Sequence, residues 1–95
     1  MNWIEIIELR SLSLKHEALK ELKQTVTEAD RMEGLKGIEM YYNTSVATDI
    51  SIHIHWSTQD DQIRKSALGL RLASALTEFG RVNHTLWIKE EGRIK

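Results

Sequence analysis

The stretch Ile50-Ser51-Ile52-His53-Ile54-His55-Trp56-Ser57 decides the fold that this sequence predicts. Its apolar and polar residues alternate strictly, and a period of two is typical of a β-strand with one buried face and one open face. The isoleucines and Trp56 are therefore predicted to face the core. The opposite face of the strand then carries two serines and two histidines: Ser51, His53, His55 and Ser57.

Upstream, the block Trp3–Leu9 predicts the first strand, because it is rich in β-branched residues and too short for an amphipathic helix. The block is apolar on both sides. One side carries Trp3, Ile7 and Leu9, and the other carries Ile4 and Ile6. A strand that is apolar on both faces is predicted to be buried on both faces.

A helix and a further strand are predicted between these two strands. Apolar residues recur at steps of three and four, as in a helix with one buried stripe: Ala18, Leu19, Leu22, Val26, Ala29 and Met32. Capping chemistry predicts that this helix begins near Ser13 and ends at Gly34. In the following strand, Lys36–Asn43, one face carries Ile38, Met40 and Tyr42, and the other carries Glu39 and Tyr41.

The downstream segments predict a second helix and a last strand. Thr58-Gln59-Asp60-Asp61 has the composition of an N-cap and an acidic first turn, and an apolar helical face follows over Gln62–Phe79, up to Gly80. Gly69 inside this helix costs about 1 kcal/mol relative to alanine, which predicts that another segment of backbone comes close to it. In the last strand, Val82, His84, Leu86 and Ile88 alternate with Asn83, Thr85, Trp87 and Lys89.

The order β-α-β-β-α-β predicts one α+β domain over residues 1–95 with the ferredoxin-like arrangement. Right-handed crossovers place both helices on one face of a four-stranded antiparallel sheet. The other face stays uncovered, and we expect Tyr41, Thr85 and Trp87 to join His53 and His55 there. Because the first strand is apolar on this face as well, the sequence predicts a homodimer that packs open face on open face.

The composition excludes several classes of function. The chain has 95 residues with 13 Lys and Arg against 14 Asp and Glu, so no basic excess is present to bind a nucleic acid. The absence of Cys excludes disulfides and Cys-ligated zinc. The apolar runs are too short for a transmembrane helix or a signal peptide, so we expect a cytoplasmic protein that does not bind membranes.

Two segments resemble the antibiotic-biosynthesis-monooxygenase-like proteins of the dimeric α+β barrel superfamily. One is Ile52-His53-Ile54-His55-Trp56-Ser57-Thr58-Gln59-Asp60-Asp61, which resembles the family's strand that ends in Trp before a Ser-rich, acidic helix start. The other is Gly80-Arg81-Val82-Asn83-His84-Thr85-Leu86-Trp87, which resembles its passage from the last helix into the fourth strand. The resemblance implies a dimer whose two sheets enclose a cavity for an aromatic or hydrophobic ligand.

The superfamily supports several activities, among them oxygenation of polycyclic phenols without a cofactor, haem degradation, isomerisation and ligand binding alone. The haem-degrading branch needs an Asn on the first strand, and Ile7-Glu8-Leu9-Arg10 has none. The resemblance therefore favours a small cofactor-independent monooxygenase-like protein that binds no metal. The alternatives are a non-enzymatic ligand-binding or interaction dimer, and a regulatory domain that binds a metabolite near Ser11–Lys15.

The candidate site residues follow from the uncovered face. His53 and His55 are the candidate catalytic bases, because imidazole is the side chain that most readily exchanges protons near neutral pH. Tyr41, Trp87 and Thr85 are the candidate substrate-binding residues. A metal held by both histidines would need a third ligand, for which Glu39 or His84 would have to serve, although His84 is predicted to face the helices. A polar lining of the dimer interior is the simpler alternative for the same histidines.

Overall fold

A computed structural model describes residues 1–11, 16–28, 32–59, 63–92 and 94, with residues 16–18 described by backbone alone. Within these ranges, strands and helices follow in the predicted order: β1 (Asn2–Ser11), α1 (His16–Glu28), β2 (Leu35–Tyr42), β3 (Ile50–Ser57), α2 (Ala67–Leu76) and β4 (Gly80–Ile88). The four strands form one antiparallel sheet in the order β2-β3-β1-β4. The α+β, ferredoxin-like prediction is confirmed.

The core lies between the sheet and one helical layer. Every apolar residue of β3 is at most 5 % exposed, and Ile7 and Leu9 of β1 are fully buried. Both helices pack on this face: α1 contributes Leu22, and α2 contributes Leu68, Leu72 and Leu76. Trp3 and Trp56 are paired across β1 and β3 and stack with their ring centroids 5.7 Å apart. Burying side chains of this size contributes about 1.5–3 kcal/mol each.

The opposite face of the sheet carries no helix among the described residues. Ile4 and Ile6 of β1 point to this face and are half-buried, so β1 is apolar on both sides as predicted. We call this surface the bare face. Its central strands are β3 and β1, and its outer strands are β2 and β4.

The predicted start of the second helix is wrong. Helix α2 begins at Ala67 and is capped by Ser66, whose hydroxyl accepts a hydrogen bond from Gly69 N at 2.9 Å. Thr58 lies in a loop, where its hydroxyl accepts a hydrogen bond from Trp3 Nε1 at 3.1 Å. Asp60, Asp61 and Gln62 lie outside the described residues. Ser66 is held as the cap because its N–H and its hydroxyl both donate to Glu5 while its hydroxyl oxygen accepts from Gly69 N.

The ends of the other elements agree more closely with the sequence. Leu22 is buried, and Leu19 and Val26 are half-buried, which confirms the stripe of α1. Ser13 and Ala29 lie outside the described residues. Met32 is 38 % exposed and lies outside the helix, so its predicted place in the buried stripe and the predicted helix end at Gly34 are wrong. Gly34, with φ of +83°, forms the turn that enters β2. Among the described residues, no helix is long and apolar enough to cross a membrane.

Candidate functional site

All five predicted site residues lie on the bare face. In the register of the sheet, Ile6 of β1 lies between His53 of β3 and Thr85 of β4. One step further along, Ile4 lies between His55 and Trp87. Tyr41 of β2 is paired with Ser51. The bare face therefore has a polar side on β2 and β3, an apolar strip on β1, and an aromatic side on β4.

Glu39 connects Tyr41 and His55 on the polar side of this face. From the sequence, Glu39 was predicted only as a possible metal ligand. Its carboxylate accepts a hydrogen bond from the Tyr41 hydroxyl at 3.0 Å, and its Oε1 lies 2.5 Å from His55 Nε2. The contact with His55 is short but not aligned as a hydrogen bond, and Nε2 itself is hidden from solvent. The signal was present in the sequence, since Glu39 and Tyr41 share one face of the alternating strand β2.

These contacts shift the pKa values of Glu39 and Tyr41 in opposite directions. The hydrogen bond from Tyr41, and after it the contact with His55, lowers the pKa of Glu39 below the usual carboxyl value. The hydrogen bond to Glu39 raises the pKa of the Tyr41 phenol above its usual value. Near neutral pH the cluster therefore contains an ionised carboxylate beside an imidazole and a neutral phenol, which is an arrangement that can accept and return a proton.

His53 is held on the same side by two neighbours. Its Nε2 lies 2.9 Å from the Ser51 hydroxyl oxygen. Its ring lies against that of Tyr41, with centroids 4.6 Å apart and planes tilted by 46°. The structure thus brings His53, His55 and Tyr41 together around Glu39, as one continuous group on β2 and β3.

Trp87 and Thr85 form a separate pair on β4. Trp87 Nε1 donates a hydrogen bond to Thr85 Oγ1 at 2.9 Å, and the Trp87 side chain is 56 % exposed. Strand β4 lies two strand spacings from β3, or about 10 Å. Within one protomer these two residues therefore do not contact the histidines, and only a ligand that extends across β1 could contact both groups.

A groove opens at one end of the bare face. Its volume is about 530 Å³, and the residues that line it come from all four strands or their ends: Asn2, Trp3, Ile4, Lys36, His55, Trp56, Ile88 and Lys89. The volume is within the range of small-molecule sites, about 300–1,000 Å³. His55 lines this groove and His53 does not, so the two histidines have different access to a ligand there.

His84 lies on the other side of the sheet, in a buried cluster that the sequence analysis missed. The carboxylate of Glu5, fully buried, accepts hydrogen bonds from Trp56 Nε1 at 2.8 Å, His84 Nε2 at 2.7 Å, Ser66 N at 3.1 Å and the Ser66 hydroxyl. The only sequence signal was that Glu5 is in phase with Trp3, Ile7 and Leu9. His84 faces the helices as predicted, so it cannot complete a metal site with His53 and His55.

The same cluster explains the glycine in α2. A Cβ atom on Gly69 would lie 2.1 Å from Glu5 Oε2 and 3.0 Å from His84 Nε2. A close approach at Gly69 was predicted, but the prediction that a backbone makes it is wrong: the nearest atoms belong to the side chains of Glu5 and His84. Among the described residues, no three His, Asp or Glu side chains converge as a metal site.

Comparisons with known proteins give matches in structure but none in sequence. No family model matches the chain, and no curated protein matches it. One similar structure is SnoaB, a cofactor-independent oxygenase from Streptomyces nogalater, with a TM-score of 0.72, 14 % identity, and coverage of 99 % of this chain and 98 % of that chain. Another is Rv0793 from Mycobacterium tuberculosis, with a TM-score of 0.70, 14 % identity, and coverage of 97 % and 98 %.

A third similar structure is a candidate antibiotic biosynthesis monooxygenase from Bordetella bronchiseptica. Its TM-score is 0.65 at 15 % identity, and the match covers 94 % of this chain and 97 % of that chain. At such identities the likeness concerns the fold, and it extends over nearly the whole length of every chain compared. The chain therefore shares the fold of these structures, one of which is a candidate antibiotic biosynthesis monooxygenase, and this is the fold that the resemblance of its two sequence segments implied.

Proposed function

We propose that the protein is a homodimer whose two bare faces enclose an aromatic or hydrophobic small molecule, which it oxygenates without a bound metal or organic cofactor. The observation that carries the proposal is the cluster of His53, His55, Tyr41 and Glu39 on the one sheet face that no described helix covers. The likeness of the fold to SnoaB, a cofactor-independent oxygenase, supports the same activity.

The surface of the protomer supports the dimer. Tyr41 is 47 % exposed and Trp87 is 56 % exposed, although side chains of this size are usually buried. Ile4 and Ile6 lie between them on β1. The protomer is only 17 Å thick along its shortest axis. A second copy would cover the apolar strip and give this thin molecule a second core.

The proposed reaction needs a base and an electron-rich substrate. An imidazole removes a proton from an acidic C–H of the substrate, which leaves a carbanion that is delocalised over the rings. The carbanion transfers one electron to O₂, which gives a substrate radical and superoxide. These two combine through a new C–O bond, and the peroxide anion that forms takes up the proton removed earlier to give a hydroperoxide. Loss of water then gives a carbonyl group, so that R₂CH₂ and O₂ become R₂C=O and H₂O. All the electrons come from the substrate.

Each residue of the cluster has a part in this scheme. A proton on His55 Nε2 would face the Glu39 carboxylate, which leaves Nδ1 free to accept a proton from the substrate and stabilises the imidazolium that forms. His53 is the second candidate base. Tyr41, Thr85 and Trp87 would position the rings, since aromatic side chains stack on flat ligands. Closure by the second subunit would exclude water from the carbanion.

The test is oxygen uptake with 1,8-dihydroxyanthrone, which has an acidic methylene group between two aromatic rings. The double variant His53→Ala/His55→Ala is expected to lower the rate by at least about a hundredfold. Lys20→Ala, at an exposed position of α1, is the matched control and should retain the full rate. An unchanged rate in the double variant would refute the proposed bases. Wild-type protein that binds the anthrone without consuming oxygen would identify the non-enzymatic ligand-binding dimer instead.

Sedimentation tests the dimer separately. The wild-type chain is expected to sediment as a dimer at micromolar concentration, and Trp87→Asp, which places a charge on the bare face, is expected to shift it towards the monomer. Lys20→Asp is the control for the added charge. A wild-type chain that sediments as a monomer would contradict the enclosed site.

A further inference from the structure

We infer that the groove at the end of the bare face accepts a flat aromatic anion, with Lys36 and Lys89 as the groups that hold its acidic substituent. This inference rests on the proposed function and specifies its ligand: the substrate class is an aromatic compound with a carboxylate, sulfonate or phenolate group. Neither lysine was among the site residues predicted from the sequence.

The floor of the groove provides a surface for rings. Ile4 and His55 are directly paired on the two central strands, and both contribute to the lining. Ile88, Trp3 and Trp56 complete the lining at the end of the sheet, where Trp3 and Trp56 are otherwise buried in the core. An apolar floor of this kind with one imidazole favours a flat, largely hydrophobic molecule, and its volume of about 530 Å³ suits one of two or three fused rings.

The two lysines stand on opposite sides of this floor. Lys36 belongs to β2, at the irregular step between Leu35 and Gly37, and Lys89 directly follows β4. These outer strands are three strand spacings apart, or about 14 Å. Long, flexible lysine side chains on both sides can extend over a ligand that lies on the central strands.

The positive charge at these positions is not a consequence of a basic chain, because the formal net charge is −1. Among the described residues, neither lysine forms an ion pair with a carboxylate. Glu39, which also lies on the bare face, is already in contact with His55. Lys89 also lines a second, adjoining depression together with Glu90 and Glu91, although it forms no ion pair with either among the described residues. Two ammonium groups beside an apolar floor are complementary to an amphipathic anion.

The experiment compares two fluorescent probes that share the same rings and differ in charge: 8-anilinonaphthalene-1-sulfonate and neutral N-phenyl-1-naphthylamine. Wild-type protein is expected to bind the sulfonate more tightly, with an affinity that decreases as salt is added. Lys36→Gln/Lys89→Gln is expected to weaken sulfonate binding by about tenfold and to change binding of the neutral probe by less than about twofold. Lys20→Gln/Lys65→Gln, at exposed positions outside the groove lining, is the matched control.

The outcomes separate this inference from the proposed function. Equal affinities for the two probes, or a loss of sulfonate binding in the control variant as large as in Lys36→Gln/Lys89→Gln, would overturn the role of the lysines. If oxygen uptake still depends on His53 and His55 in that case, the proposed function stands and only the preference for anions fails. Failure of both probes to bind would overturn the groove as a ligand site altogether.

Discussion

Alanine at position 69 is expected to destabilise the protein, although alanine is the residue that most favours a helix. Gly69 lies in the first turn of α2, directly over the Glu5 carboxylate. An added Cβ would lie 2.1 Å from Glu5 Oε2 and 2.9 Å from Glu5 Cδ, and real Cβ atoms essentially never approach other atoms closer than 3.0 Å. The carboxylate cannot move aside without losing hydrogen bonds, because Trp56, Ser66 and His84 all donate to it.

The size of the effect follows from the opposing contributions. Replacing glycine by alanine within a helix stabilises it by about 1 kcal/mol. Forcing an extra methyl group into a packed site costs about 1–3 kcal/mol. Displacing a buried carboxylate from one of its donors costs about 1.5–3 kcal/mol more. The free energy of unfolding of Gly69→Ala is therefore expected to decrease by about 2–4 kcal/mol.

The assay is urea denaturation followed by tryptophan fluorescence, at one fixed protein concentration because dimerisation contributes to the measured stability. Gly37→Ala is the matched control, since a Cβ built there has no neighbour within 4 Å. That control is expected to be unchanged or more stable by up to about 1 kcal/mol. A Gly69→Ala protein as stable as the wild type would show that Glu5 is not fixed by its donors, and would refute this reasoning.

Two further predictions concern the carboxylates on the two faces. Ser66→Ala removes the cap of α2 and one donor to Glu5, so the free energy of unfolding should decrease by about 1–3 kcal/mol. Ser74→Ala, at an exposed position of the same helix, is the control and should change the free energy of unfolding by less than about 0.5 kcal/mol. Equal effects of the two substitutions would contradict the role of Ser66. Because the pKa of Glu39 is lower in the folded state than its unfolded value of about 4.3, its carboxylate stabilises the fold above that pH and ceases to do so as the pH falls through the folded pKa. Thermal unfolding from pH 7 to pH 3 should therefore show wild type more stable than Glu39→Gln near neutrality, with a difference that decreases in acid; a difference that grows in acid would contradict it.

The elements that the sequence predicted correctly depend on local patterns. The alternation in β3 needs only one buried face and a period of two, and the structure buries all its apolar residues. The same parity, read from the sequence alone, placed His53, His55 and Tyr41 on one face. These predictions succeed because the direction of a side chain in a strand depends on its own backbone and not on distant partners.

The features that were missed depend on distant partners. Ser66 became the cap of α2 partly because its hydroxyl reaches Glu5, which lies 61 positions away in the chain. Glu5 itself is in phase with apolar neighbours, yet its burial is possible only because Trp56 and His84, 51 and 79 positions away, donate to it. The contact of Glu39 with His55 depends on how β2 is paired with β3, where Glu39 lies opposite His53 and Gly37 lies opposite His55. No local pattern encodes such contacts.

The protein contains two glutamate–histidine pairs with similar distances, and exposure distinguishes their roles. In the pair of Glu5 and His84, the side chains are 0 % and 6 % exposed. If one of the two gained or lost a proton, a charged group would remain buried without water or an oppositely charged partner, which would destabilise the fold by several kcal/mol. In the pair of Glu39 and His55, they are 51 % and 43 % exposed, so water can stabilise either protonation state. A histidine that serves as a base must gain and lose a proton in every turnover without unfolding the protein. His84 has the better-aligned hydrogen bond, but only His55 satisfies this condition and also lines a groove. For this reason the proposed function places proton transfer to and from a ligand on the bare face rather than in the buried cluster.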